Sequence, residues 1–188
     1  MRDIADETMR DIADESEITL PVLKYGYPTR PLDWPTLIHV IQVEKDFDKL
    51  ARNVDQQRNY MKYMKELKMQ WRSVMDFVLC SKFDLERRAH NDSGLWHAFP
   101  PLSQVPGVHV RLVKNDFPYY LADNVEHWIL WKLGQDCRDN DIENAKQELQ
   151  ARLGDVTEFL HWINPPHLKS LPEIDHAHII ICRTNSTL

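Results

Sequence analysis

The chain has 188 residues, enough for one domain with a real core and too few for two comfortable ones. Apolar residues make up 43% and charged residues 28%, the balance of a soluble globular protein, which sets aside disordered, collagen-like and membrane-spanning classes. The net charge of −6 sits mostly in the first twenty residues, where Arg2 and Arg10 face Asp3, Asp6, Glu7, Asp11, Asp14, Glu15 and Glu17. The body is therefore close to neutral, without the positive footprint that displaces counterions from phosphate, and nucleic acid is not an expected partner.

Met1 to Glu7 reads MRDIADE, and Met9 to Glu15 repeats it. Eight residues is not a solenoid period, and Met1, Ile4, Ala5, Met9, Ile12 and Ala13 offer too little to bury. Residues 1–20 are read as an acidic tandem-repeat tail without stable structure, and residues 21–188 as a single α+β domain. From Leu20 to Pro35 four prolines, Pro21, Pro28, Pro31 and Pro35, predict an extended lead-in. Asp33 is a helix cap with Pro35 in the first turn, and Leu37, Ile38, Ile41, Phe47 and Leu50 recur at helical spacing after it. A longer helical pattern covers Asp55 to Lys82, with Tyr60, Met64, Leu67, Trp71, Val74, Met75, Val78 and Leu79 as a core stripe.

Asp84 to Gly107, with Pro100, Pro101 and Pro106, reads as a long surface loop. Past it the period changes from 3.6 to 2. Val108 to Val113 and Glu126 to Leu133 are expected strands, Asp139 to Leu153 a helix closed by Gly154, and Thr157 to Ile163 and His176 to Arg183 two more strands. The expected architecture is α+β, an N-terminal helical half followed by a small, mostly antiparallel β-β-α-β-β sheet.

Cys80, Cys137 and Cys182 form no CxxC pair, so reduced thiols fit better than disulfides or a thiolate metal site. The acidic start lacks the apolar run of a secretory signal, and no stretch reaches the roughly 20 apolar residues of a membrane span. The expectation is a cytoplasmic protein, with the nucleus open to so small a chain and no membrane partner.

Asn115-Asp116-Phe117-Pro118-Tyr119, the strand with His127 and Trp131, Trp162-Ile163-Asn164 with Leu168-Lys169-Ser170, and His176-Ala177-His178 leading to Arg183 together resemble the fungal N-acetylglucosamine-induced protein family, defined by a DUF3605-type domain of unknown function. Arg58, Tyr60, Glu66, Lys68, Ser73 and Val74 extend the likeness into the helical half, so it covers most of the chain after about residue 33. The chain departs from the pattern at Phe117, Arg72 and Val54, where the family has Trp, Gly and Pro. The resemblance implies a cytosolic role in the response to N-acetylglucosamine and no established reaction.

His176-x-His178 on a strand puts both imidazoles on one face, about 7 Å apart at Cβ. With His127 from a neighbouring strand they form a candidate catalytic or metal-binding trio; zinc is the first metal to consider, and iron or manganese the next if Asp116 or Asp175 joins. The same three residues can instead donate hydrogen bonds to a ligand without metal. A histidine acting as general acid or base needs a carboxylate to fix its tautomer, a role open to Asp116 or Asp175, while Lys169, Ser170 and Arg183 would hold an anionic group. Tyr119 and Asn164 complete the candidate ligand-binding set, and Trp128, Trp131 and Trp162 are either a stacking platform or core. The leading expectation is a histidine-lined pocket for a small polar metabolite, an amino sugar or nucleotide sugar on the resemblance, with turnover undecided. The alternatives are a non-catalytic regulator that binds a partner protein and a metal-dependent hydrolase using His127, His176 and His178.

Overall fold

The computed structural model describes residues 18–184, so the MRDIADE repeat and most of the tail expected over residues 1–20 lie outside the described residues. Asp33 caps α1 (Trp34–Ile38) by accepting the Thr36 N–H at 3.0 Å, with Pro35 in the first turn. The expected first helix then loosens into a π-helical turn over His39–Glu44 and a 3-10 turn over Phe47–Lys49. Its apolar residues still point inward, and Trp34, Leu37, Val40, Ile41 and Leu50 share one buried cluster.

The long periodic stretch is two helices. α2 (Val54–Gln70) starts at a reciprocal cap between Asn53 and Gln56. α3 (Val74–Phe83) starts at Ser73, whose Oγ accepts the Asp76 N–H at 3.0 Å. Between them Trp71 is extended and bridges to Trp96, while the Arg72 N–H donates to the Trp96 carbonyl at 2.9 Å. Apolar steps of three and four run straight across this break, so periodicity alone misses it; the signal is the cap at Ser73.

The stretch expected as a loop holds a hairpin, β1 (Glu86–Ala89) antiparallel to β2 (Trp96–Phe99). Its strands are four residues each and β1 is exposed throughout, so it carries no alternation to read. Asp76, only 1% exposed, fastens the hairpin to α3: its carboxylate accepts from Ser73 Oγ at 2.7 Å, Arg72 Nε at 3.1 Å and the Ala98 N–H at 3.0 Å. These bonds outweigh the effect of burial and hold the Asp76 carboxyl below its ordinary pKa.

A second sheet carries the rest: β3 (His109–Lys114), β4 (Val125–Leu133), β5 (Val156–Trp162) and β6 (Asp175–Arg183), antiparallel in the order β3-β4-β6-β5, with α4 (Asp139–Leu153) between β4 and β5. The fold is α+β, with the expected β-β-α-β-β sheet following a mostly helical first half. On one face Trp128, Leu130, Ala177, Ile179 and Ile181 meet Ile142, Ala145 and Leu149 of α4. On the other, α1 covers Leu160, Trp162, Ile180 and Cys182 at one end, and α3 covers Leu133 with Leu171 and Ile174 at the other. The space between these two patches is the candidate site.

Candidate functional site

In the β4–β6 register Trp131 stands opposite His176, Ile129 opposite His178 and His127 opposite Ile180. Side chains alternate with period two, so all three histidines lie on the face turned away from α4. A cavity of about 260 Å³ opens there between this face and the α2–α3 pair. Tyr60, Tyr63, Phe117 and Trp131 give it aromatic walls, and His176, His178, Asn164, Ser170 and Arg52 give it polar ones.

Two of the histidines bond to one another: His127 Nε2 and His178 Nδ1 are 2.9 Å apart. Asn115 and Asn164 flank this pair. Asn115 Oδ1 accepts the Phe117 N–H at 3.0 Å and Asn164 Oδ1 accepts the Trp162 indole N–H at 2.8 Å. Both amides therefore turn their NH2 groups toward the rings, Asn115 Nδ2 at 3.2 Å from His127 Nδ1 and Asn164 Nδ2 at 2.9 Å from His178 Nε2. The row thus consists of three links closed at each end by a donor. Two neutral rings already bring one N–H more than the links can accept, and the surplus falls at the longest link, beside Asn115. A proton added to either ring would set a further N–H against an N–H.

Burial acts in the same direction. It pushes His127 down to about 3, helped by the charge of Arg52, and it holds His178 well below the ordinary histidine value, with His127, His176 and Arg52 adding to the effect. His178 lies flat on Trp162 at 4.9 Å, and His127 stacks on Tyr119 at 4.9 Å. His176 is also lowered by burial. Its Nδ1–H donates to the Ile174 carbonyl at 3.0 Å, which makes Nε2 the bare nitrogen.

The zinc reading required three imidazoles around a common point, and the geometry corrects it. The facing nitrogens of His127 and His178 are occupied by each other, and His176 turns one nitrogen to backbone. Among the described residues no three His, Cys, Asp or Glu side chains are placed to hold an ion. Asp116 and Asp175, the added ligands of the iron or manganese version, hold Lys82 at 2.7 Å and Lys169 at 2.6 Å. These residues do not fit a metal centre, and the hydrolase alternative loses its ligand set.

Of the other candidates, Tyr119, Asn164, Ser170 and Asp116 line the cavity with His176 and His178, while His127 lies behind His178. Asp116 does not fix a histidine tautomer: it is exposed at the rim, and the neighbouring Asn115 is the residue that reaches His127. Lys169 faces a different hollow with Lys132 and Glu173. Arg183 belongs to the opposite strand face, where it binds Asp155 and Glu126 at 2.8 and 2.9 Å. Trp131 is a cavity wall, Trp162 is core behind His178, and Trp128 packs under α4.

The family described as "Protein of unknown function (DUF3605)" matches residues 33–182, from the cap of α1 to the end of β6. The chain belongs to this family. A solved structure described as "Crystal Structure of HTC1" shares the DUF3605 chain's fold at a TM-score of 0.50, with 19% identity over 81% of this chain and 85% of that one. Comparison with curated protein sequences gives no match.

Within the DUF3605 region two contributors to the site escape sequence reasoning. Asn115 is masked by the charged residue beside it, although an Asn two residues before an aromatic N–H is a readable Asx turn. Arg52 stands alone in the short connection before α2, and nothing local marks it. Its Nε and Nη2 both donate to the Phe117 carbonyl, at 3.1 and 2.8 Å, which only the folded chain brings near.

Proposed function

We propose that this DUF3605 protein binds a small polar metabolite in the cavity on its histidine face. The observation that carries the reading is His176: with Nδ1–H committed to the Ile174 carbonyl, the Nε2 lone pair is left at the cavity without a partner among the described residues. A bare ring nitrogen and the Ser170 hydroxyl beside the faces of Tyr60, Tyr63 and Trp131 suit a molecule with hydroxyl or amide donors around an apolar ring face, as a sugar has. The resemblance to fungal N-acetylglucosamine-induced proteins supports amino sugars as the first class to try, in a cytosolic setting that suits three free thiols. A volume of about 260 Å³ favours a monosaccharide over a nucleotide sugar. If the ligand is turned over, His176 Nε2 is the group placed to take its proton.

The test is calorimetric titration and thermal melting of the full chain with N-acetylglucosamine, glucosamine and a nucleotide sugar. Binding by one of them, weakened about tenfold or more in His176→Ala, is the expected result. Absence of binding by all three, with no dependence of melting on any, overturns the reading in favour of a regulator without a small ligand.

A further inference from the structure

We infer that the cavity's ligand carries an oxyanion, a carboxylate or a phosphate, and that Arg52 receives it. The inference rests on the reading that the cavity holds a small metabolite, and it narrows the class of that metabolite.

Around the sheet the cations come with their anions. Lys82 holds Asp116, Lys132 holds Asp141 at 2.6 Å, Lys169 holds Asp175, and Arg183 holds Asp155 and Glu126. Two arginines differ: Arg152 is exposed and lies over the Trp128 ring, and Arg52 lines the cavity. The partners of Arg52 are neutral: the Phe117 carbonyl takes Nε and Nη2, Gln57 Oε1 lies 3.5 Å from Nη1, and the Tyr60 ring lies 4.3 Å from the guanidinium carbon. Among the described residues no carboxylate comes within 4.0 Å of it.

A guanidinium has five N–H groups, so one on each terminal nitrogen is left over. Arg52 is partly buried and lines the cavity, where the imidazoles opposite are neutral and the one carboxylate, Asp116, already belongs to Lys82. The cavity thus carries one uncompensated positive charge in a place where charge is costly to leave unpaired. The Nε and Nη2 groups already serve the Phe117 carbonyl, and the N–H groups left on the two terminal nitrogens are the pair with which an arginine can take two oxygens at once. A neutral sugar would leave that charge as it is, whereas an acidic or phosphorylated one would complete it.

The test compares three probes on the full chain at low salt: N-acetylglucosamine, its 6-phosphate, and N-acetylmuramic acid, which carries a carboxylate. The expected result is that at least one anionic probe binds about tenfold or more tighter than the neutral sugar, and that raising salt erodes the difference. Preference for the phosphate or for the carboxylate identifies which oxyanion the site takes. Arg52→Gln should cost the anionic probes about tenfold or more beyond whatever it costs the neutral sugar, so that the preference disappears, and Arg52→Lys should keep part of it.

Because Arg52 also supports the Phe117 carbonyl, a purely structural role would weaken all three probes alike in Arg52→Gln, and that outcome overturns the inference. Equal affinity of the wild-type chain for neutral and anionic probes overturns it as well, while leaving the metabolite reading intact. Failure of all three probes to bind removes both.

Discussion

On the α4 side of the four-stranded sheet, Ile179, Ile181 and Leu130 close against Ile142, Ala145 and Leu149, with the buried Lys132 paired to Asp141 of α4 on the same face. On the other side the same two central strands present His127, His176 and His178, covered by aromatic rings and an incomplete helical layer. One backbone register thus serves two ends. The first face is filled by shape and supplies stability. The second is filled by hydrogen-bonding groups whose only good arrangement is neutral, and it leaves room for a guest.

The contrast is exposed most strongly by acid. His127 and His178 have folded pKa values below the ordinary 6.5, so as pH falls the unfolded chain takes up protons before the native one does. Their contribution is complete above pH 6.5 and is lost on the way down toward about 3. Between pH 6.5 and 4.5, above the ordinary carboxylate range, stability should fall by up to about 1.4 kcal/mol per pH unit for each ring that stays neutral in the native state. Denaturant unfolding across that window measures it, and the double variant His127→Gln with His178→Gln should flatten the slope. A slope unchanged by that variant would locate the acid sensitivity elsewhere.

Next in size are truncations that match one face against the other. Ile179→Ala should cost about 3–4 kcal/mol, because α4 cannot collapse onto the gap, while Ile129→Ala, which already borders the cavity, should cost about half as much. Equal losses would mean that the two faces are packed alike. His178→Ala should cost about 2–3 kcal/mol, since it leaves His127 Nε2 without a partner and leaves the Asn164 NH2 with only the longer bond to the Leu168 carbonyl. Ser73→Ala should cost about 2 kcal/mol, from the lost cap of α3 and the lost hydrogen bond to the Asp76 carboxylate, with no change at the histidine face.

How much of this was legible depends on whether the signal was local. The strands of the second sheet and α4 lie within a residue or so of where alternation and capping put them, and the period-two rule puts His176 and His178 on one face, which His127 joins through the β4–β6 register. The α2–α3 break and the hairpin are hidden, because the first interrupts no apolar spacing and the second has strands of only four residues, the first of them exposed throughout. Site residues divide the same way. His176 and His178 meet at the cavity because strand alternation carries them there, and Tyr119, Asn164 and Ser170 join them from loops. Arg183 was misjudged by parity, being an odd number of residues from His176 and His178 and so on the other face. Asp116 was chosen for its charge, where folding uses the amide next to it. Arg52 became visible only through a contact 65 residues away in the chain.

The turn at Asn115–Phe117 is held at three consecutive positions by three different parts of the molecule. Asn115 reaches the imidazole row, Asp116 holds Lys82 of α3, and the Phe117 carbonyl holds Arg52 before α2. Such a turn behaves as a junction at which disturbances combine. A molecule taken by the N–H groups that Arg52 has left over would leave the Phe117 hold in place, so the guanidinium would tie the incoming molecule to the same turn that carries the Asn115 amide and the Lys82 ion pair.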